Sequence, residues 1–559
     1  MLNFKFSRQL QAQGFILILC WLGATVSRAQ DGYDEIYTTD GNLRPTYQRF
    51  NQRLGIQSHV FTQDLVRTLM RGNPLGDRIR ILPLPLILDK REYTEIVQAG
   101  TRQRFHALGV FVHRFLKGDY SLVNRLSRRL VRRTGEKEEY GFQPLKATLE
   151  EMLRQEKYRV MGVEFMRTFY KDYPPENIHF IAGSDFIRDG SGNFRVMEDN
   201  VGRVGGLGDV DAVNDAYLSV VHKPTKTELD QTVFAKMIRA FLDYHDLKPH
   251  DKGLIAIVER PSTTPHGPGS SQKDLETYRD IKILESLGFV IIDPTQETPI
   301  RELLRGEHAS PEVPKLADVK AVVNYHDPDY ASELFGLYRI LFSRMKIPFF
   351  LAPGFELIGN KFLTMFADDI IEIVTGEKPI LKGIRTRLHA RLFSKVKSDS
   401  QHDPNLPNGS LFDQLDRTMV IKNASGSRGR NVHVLADLSD EAIKELERLL
   451  VQDFFFSELN YPHGYRFIAQ DYVHPSQLRT PGDEEHFRLS YSVDVRPHSF
   501  ALGINDIWVS DQPWARAVSN LDSPKSNVSL GGLEVPVFLE EVTEDNDCKA
   551  RFDKHTGRP

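Results

Sequence analysis

Apolar residues recur at mixed three- and four-residue spacing through "REYTEIVQAGTRQRFHALGVFVHRFLKGD" (91–119), the period of one face of an α-helix. The same pattern predicts helices near 121–134 and 144–156, and an amphipathic helix over 226–247 that "KPHDKG" closes. A buried-type strand, "GLIAIVE" (253–259), a helix over 274–288 and a second strand, "FVIIDP" (289–294), have the lengths of a βαβ unit, and "VKAVVNY" (319–325) offers a third strand. The middle of the chain therefore reads as a small parallel α/β unit. "RIRILPLPLILD" (78–89) carries two prolines in an apolar run, which suits an edge strand or loop. Strands are expected at 465–474 and 487–497, a strand–loop–strand at 418–437, and a helix at 438–450 with Ser439 as N-cap. The Pro- and Asn-rich "HDPNLPNGS" (402–410) is a break, and the chain beyond Glu541 is charged.

"GSDFIRDGSGNFRVMEDN" (183–200) alternates as two strands around a Gly/Ser/Asn turn. Glu198 and Asn200 are two apart and share a strand face. Asp185 joins them if it lies opposite Glu198, a register that a four-residue loop, Gly190 to Asn193, would give; a slip by one residue would turn it away. Two carboxylates and an amide in one place are hard oxygen ligands of the kind that suit Mg²⁺ beside nucleotide phosphates.

Composition adds limits. The 559 residues are enough for several domains, and 40% apolar with 26% charged residues is ordinary for a globular protein. A net charge of −4 gives no support for nucleic-acid binding, since the one basic stretch (125–140) runs straight into acids and reads as a solvated helix face. The two cysteines, Cys20 and Cys548, lie in no metal-ligand spacing. Lys5 and Arg8, the apolar run 15–26 and "SRA" (27–29) have the layout of a secretory signal peptide cleaved before Gln30; the alternative is a spurious extension, with the functional chain starting near Tyr33. No other segment reads as transmembrane, and the run itself is short for a stable span.

Four further stretches can bear charge chemistry. In "VIKNASGSRGRNV" (420–432) Lys422 ends an apolar strand, and a Gly/Ser loop follows whose backbone N–H groups can cradle phosphate. In "FIAQDYVHPS" (467–476) the edge at Gln470, Asp471 and Val473 can receive a purine ring. Lys361 opens a helix in 360–381, from whose first turn a lysine can reach a phosphate. Asp494 and Arg496 share a strand face, with Arg516 on another strand, where arginine can hold a triphosphate or a developing oxyanion. Taken singly, each of these is also what an ordinary hairpin loop, surface lysine or strand-surface ion pair looks like.

Their order along the chain carries more. The sequence resembles the circularly permuted ATP-grasp family, the type related in fold to glutathionylspermidine synthetase. "YDEIYTTDGNLRPTY" (33–47), "LPLILDKREYTEIVQAGTRQRFHALGVFVHRFLKGD" (84–119), the 183–200 hairpin, "VTGEKPIL" (374–381), "VIKNASGSRGRNV", "IAQDYV", "VDVRP" and "NVSLGG" resemble that family's motifs, from about Tyr33 to Phe538. The hairpin precedes the lysine strand, whereas an unpermuted ATP-grasp ligase has it afterwards. The resemblance implies an α+β/α/β fold. Its parts would be a signal-like segment (1–29), a helical N-terminal region with the metal hairpin (33–247), a small pre-ATP-grasp-like α/β domain (250–345), a nucleotide-binding portion (346–541) and a charged tail (542–559). It implies an ATP-dependent carboxylate–amine or carboxylate–thiol ligase working through an acyl phosphate, with ATP and Mg²⁺ as cofactors. Asp185, Glu198 and Asn200 would hold Mg²⁺. Lys361, Lys422, Gly426, Ser427, Arg428 and Gly429 would contact phosphates, Gln470, Asp471, Tyr472 and Val473 the adenine, and Arg496 and Arg516 the developing charge, with Lys422 and Arg496 as the catalytic pair. The partners are small-molecule or peptide carboxylates and amines. Departures such as "VGRVGGLGDVDAV" (201–213) and "NYHDPDY" (324–330) imply an altered acceptor or donor. The alternative is a nucleotide-binding partner protein without turnover. ATP chemistry favours the cytoplasm, and the N-terminal segment export.

Overall fold

In a computed structural model of the chain, residues 33–54, 80–134, 145–155, 162–202, 204–221, 227–261, 272–294, 314–325, 347–350, 352–388, 418–424, 432–446, 448–450, 467–479, 490–519 and 532–541 are described. The signal-like segment, the loop Gly426 to Gly429, most of the loop 260–271 and residues 526–531 lie outside them. Among the described residues no helix is long and apolar enough to cross a membrane.

The fold mixes helices with several sheets. The strands in chain order are β1 (Leu86–Asp89), β2 (Ile181–Arg188), β3 (Phe194–Val201), β4 (Leu254–Ile257), β5 (Val290–Ile292), β6 (Ala321–Asn324), β7 (Phe349–Phe350), β8 (Lys382–Gly383), β9 (Thr386–Leu388) and β10 (Met419–Asn423). They continue as β11 (Val432–Val434), β12 (Phe467–Asp471), β13 (Gln477–Arg479), β14 (Ser490–Arg496), β15 (His498–Ala501), β16 (Ile507–Val509), β17 (Trp514–Ser519), β18 (Leu533–Val535) and β19 (Val537–Glu540). Among the described residues a nine-stranded sheet is built around β2, which has β3 along one edge and β14 then β15 along the other. β14 and β15 are one run in a single register, interrupted at Pro497, whose missing N–H cannot enter a ladder. A second sheet, in the order β11-β10-β12-β9, is antiparallel. The middle of the chain forms a parallel sheet in the order β5-β4-β6-β7. Its fourth strand, Phe349–Phe350, comes from beyond the residues read as strands in the sequence.

Local chemistry accounts for the element ends. The helical stretch from Lys90 to Leu116 begins with Asp89 accepting a hydrogen bond from the Glu92 N–H, and it includes a π-helical segment, Tyr93–Gln98, that the apolar spacing did not announce. The helix expected over 226–247 is shorter, Val233–Tyr244, because Thr232 caps it and the residues before it form a polar turn. Helices Gly162–Asp172 and Val210–Val221 were not read from the sequence. Ser439 does cap its helix, accepting from the Ala442 N–H at 3.2 Å.

The hairpin register corrects the sequence argument. Asp185 pairs with Glu198, but the turn is tighter than expected, with the Asp189 N–H bonded to the Asn193 carbonyl at 2.9 Å. Phe186 pairs with Val196, so Met197 is the extra residue of a β-bulge that shifts the register back by one. The bulge, rather than a four-residue loop, sets Asp185 beside Glu198.

The two faces of the large sheet divide cleanly. Phe186, Val196, Val493, Val495, Ala515, Ala517 and Val535 pack into an apolar core. The register places Asp185, Glu198, Asn200, Asp494, Arg496, Arg516 and Trp514 together on the opposite face.

Candidate functional site

The charged face of the large sheet meets the four-stranded sheet at β3. Lys422 and Gln470 share a face of β10 and β12, whose other face, with Met419, Ile421 and Ala469, is covered by Ile443, Leu446 and Leu450. Gln470 Nε2 donates to the Met197 carbonyl at 3.0 Å and to Thr386 Oγ1 at 3.2 Å, so the bulge residue is the point where the sheets touch. The Gln470 amide thus joins the sheets; Asp471, Tyr472 and Val473 are half-buried along the strand's continuation. Lys361 enters from a third direction. Its N–H donates to the Ala424 carbonyl just past β10 at 2.9 Å, and Asn360 caps the short helix Lys361–Thr364.

These elements converge on Glu198. Lys361 Nζ lies 3.5 Å from its carboxylate. Lys422 is only 7% exposed, yet its ammonium makes no hydrogen bond or ion pair among the described residues. Burial lowers the Lys422 ammonium from the ordinary lysine value; Glu198 and Asp185 oppose the shift, and the neighbouring Lys361 adds to it. A buried ammonium with no carboxylate in direct contact is costly.

Asp185 is differently placed. The sheet register sets Arg496 across from it, and both its oxygens are held: by Arg496 Nε and Nη2 at 2.5 and 2.9 Å, and by Arg516 Nη2 at 3.0 Å. Burial would push the Asp185 carboxyl up, but the two guanidiniums outweigh it and hold it well below the ordinary carboxylate range. Arg516 Nε also donates to Asp494 at 2.8 Å, and its guanidinium stays charged because both carboxylates outweigh burial. Trp514 lies against both arginines, 5.2 Å from Arg496 and 5.1 Å from Arg516. Among the described residues, Lys361, Lys422, Arg496 and Arg516 face Asp185, Glu198 and Asp494, which leaves one positive charge over.

Asn200 donates from Nδ2 to the Gly183 carbonyl at 3.3 Å, which turns Oδ1 away as an acceptor. Among the described residues no three His, Cys, Asp or Glu side chains gather as a metal cluster; the hairpin supplies two carboxylates and this amide.

Several participants were not singled out from the sequence. Asp199, between Glu198 and Asn200, points through the other face and is held by Arg104 at 2.8 Å through two bonds, and by Ser184 at 2.6 Å. The signal for Arg104 was a charged residue falling on the apolar stripe between Thr101 and Leu108. His498 donates from Nε2 to the Gly205 carbonyl at 3.2 Å beside Arg496 Nη1 at 3.0 Å; burial and that guanidinium bring the imidazole down to about 3, so it is neutral. On its far side the same loop is anchored to helix Gln272–Ser286, with the Gly206 N–H on Glu276 at 2.8 Å and Arg279 on the Gly208 carbonyl at 2.8 Å. Gly206 has φ +88°, and a Cβ there would lie 2.2 Å from the Trp514 ring.

No described protein family matches the sequence, and no curated protein does. Among solved structures, the chain is similar to a glutathione synthetase-like effector from Globodera pallida in its apoform, with a TM-score of 0.44 and 11% identity over 90% of this chain and 100% of that one.

Proposed function

We propose that the protein is an ATP-dependent carboxylate–amine or carboxylate–thiol ligase. The observation that carries this reading is Lys422: a buried ammonium with no hydrogen bond or ion pair among the described residues, set beside Lys361 and Glu198, suits an anion. In this reading the lysines take the phosphates of ATP, and Arg496 and Arg516 take the charge that develops on transfer. A carboxylate oxygen attacks the γ-phosphorus and ADP leaves; an amine or thiol then attacks the acyl carbon and phosphate leaves. The donor set suits Mg²⁺, with Glu198 and Asn200 Oδ1 side by side and Asp185 across from them. That ion would neutralise charge between the phosphates. The chain's own residues align the phosphates between two sheets and exclude water, which is most of what phosphoryl transfer requires. The non-nucleotide substrates would lie toward the Gly205–Asp209 loop and the middle α/β unit, where the sequence departs from its family's pattern.

A second reading has its own support. With both oxygens of Asp185 held by arginine, the site also suits a nucleotide-binding protein that does not turn over. ADP release, assayed with pools of small acids paired with amines or thiols, separates the two. The ligase reading expects ADP only when both substrates are present, and none from Glu198→Ala. A nucleotide-induced melting shift with no ADP from any pair would replace it with the binder.

A further inference from the structure

The grip on Asp185 has the form of a receptor. Arg496 meets the carboxylate as a two-pronged fork, and Arg516 adds a bond to one of the same oxygens. Neither guanidinium depends on Asp185 for its place. Arg496 is fixed from behind by the Gly205 carbonyl, and Arg516 by Asp494, with Trp514 against both. The Arg496 stem lies across Gly183, where a Cβ would come within 3.0 Å of its Cγ and Cδ. Arg516 is 8% exposed, and its Nη1 makes no hydrogen bond or ion pair among the described residues. The pair therefore retains donor capacity that Asp185 does not use.

We propose that Arg496 and Arg516 form an oxyanion site, for a carboxylate or a phosphoryl group, which Asp185 fills as a built-in competitor. The inference deepens the ligase reading and rests on it for its purpose: when Asp185 turns toward Glu198 and Asn200, the guanidiniums are released to the reacting group. Occupation of the hairpin and occupation of the arginine pair then favour each other, by the reciprocity of linked equilibria.

The test needs neither metal nor turnover. Inorganic phosphate and acetate are titrated against the full chain in EDTA, followed by tryptophan fluorescence. Asp185→Asn keeps the shape and removes the charge, and it is expected to bind one of the two anions at least about tenfold more tightly than wild type, the scale of one charge-assisted hydrogen bond. The anion that gains identifies the group the site takes. Adding Arg516→Lys should erase the gain. Affinity unchanged or weakened in Asp185→Asn, or a gain that survives the second substitution, overturns the proposal. Asp185→Ala gives a second readout if the amide variant folds poorly: its melting midpoint should rise with phosphate or acetate by more than wild type's, and an equal response in both proteins counts against the site. A gain in anion affinity without ADP formation in the ligase assay would retain the oxyanion site and discard the ligase.

Discussion

Lys422 supplies the most exacting prediction, because one substitution should move stability and binding in opposite directions. Methionine has nearly the same length and can lie along the same path past Ile468 and Val432, the cross-strand neighbours of Lys422. Lys422→Met removes an ammonium that is 7% exposed and has no hydrogen bond or ion pair among the described residues. Replacing buried charge by apolar volume stabilises by on the order of 1 to 4 kcal/mol where packing is kept, an upward shift in melting midpoint of about 1 °C per kcal/mol for 559 residues unfolding together. In the ligase reading the same change removes a charge-assisted contact to phosphate worth about 1.5–3 kcal/mol, so ATP should bind roughly 10- to 150-fold more weakly. The pH dependence has a definite sign. The folded-state ammonium titrates below the ordinary lysine value, so between the two values the unfolded chain binds more protons and wild-type stability rises with pH. That rise should be missing from Lys422→Met. Thermal melts of both proteins, with and without Mg²⁺-ATP and across alkaline pH, measure all three. A Met variant that melts lower without ligand, or binds ATP as wild type does, refutes the reasoning.

Two further outcomes follow from buried groups away from Lys361 and Lys422. Arg104→Met leaves Asp199, 1% exposed, without its guanidinium and should cost about 3–5 kcal/mol in denaturant unfolding; adding Asp199→Leu should recover most of it. His179 and His245 meet Nε2 to Nε2 at 2.7 Å, a contact that needs one nitrogen without a proton. Burial, with His245 beside it, brings His179 down to about 3, and burial brings His245 down to about 4, both from an ordinary 6.5. Depressed histidine values mean that the unfolded chain takes up protons first, so stability is complete above about pH 6.5 and falls as pH drops toward 4. Unfolding midpoints across that range should fall less steeply for His245→Gln, and an unchanged slope would remove the pair from the explanation.

The sequence made the strands of the site legible and left its connections obscure. Alternation marked both arms of the 183–200 hairpin, and two-residue spacing put Glu198 and Asn200 on one face. What brought Asp185 into line was a bulge at Met197, and nothing in the residue types there distinguishes a bulge with a short turn from a regular ladder with a longer one. Arginines 496 and 516 were readable as strand-borne cations, but that they share one carboxylate depends on strands more than 300 residues away in sequence, as the separation of 311 between Asp185 and Arg496 shows. Glycines hid the helix Val210–Val221, because the run before it reads as loop. Arg104 fell on the apolar stripe of its helix, but its partner Asp199 lies 95 positions away, so the stripe alone did not reveal the pair.

The pairing of β1 with β19 has a consequence for how the molecule comes into being. The strand Leu86–Asp89 lies parallel to Val537–Glu540, and Lys90 reaches Glu541 at 2.6 Å across 451 positions. During synthesis on the ribosome the early strand must wait for its partner until some 451 further positions have been made. Exposed edges of this kind recruit other chains, and contacts so distant form slowly. Truncation before Val537 should therefore leave Leu86–Asp89 without its partner strand and give a product that aggregates, which light scattering of the two chains would measure.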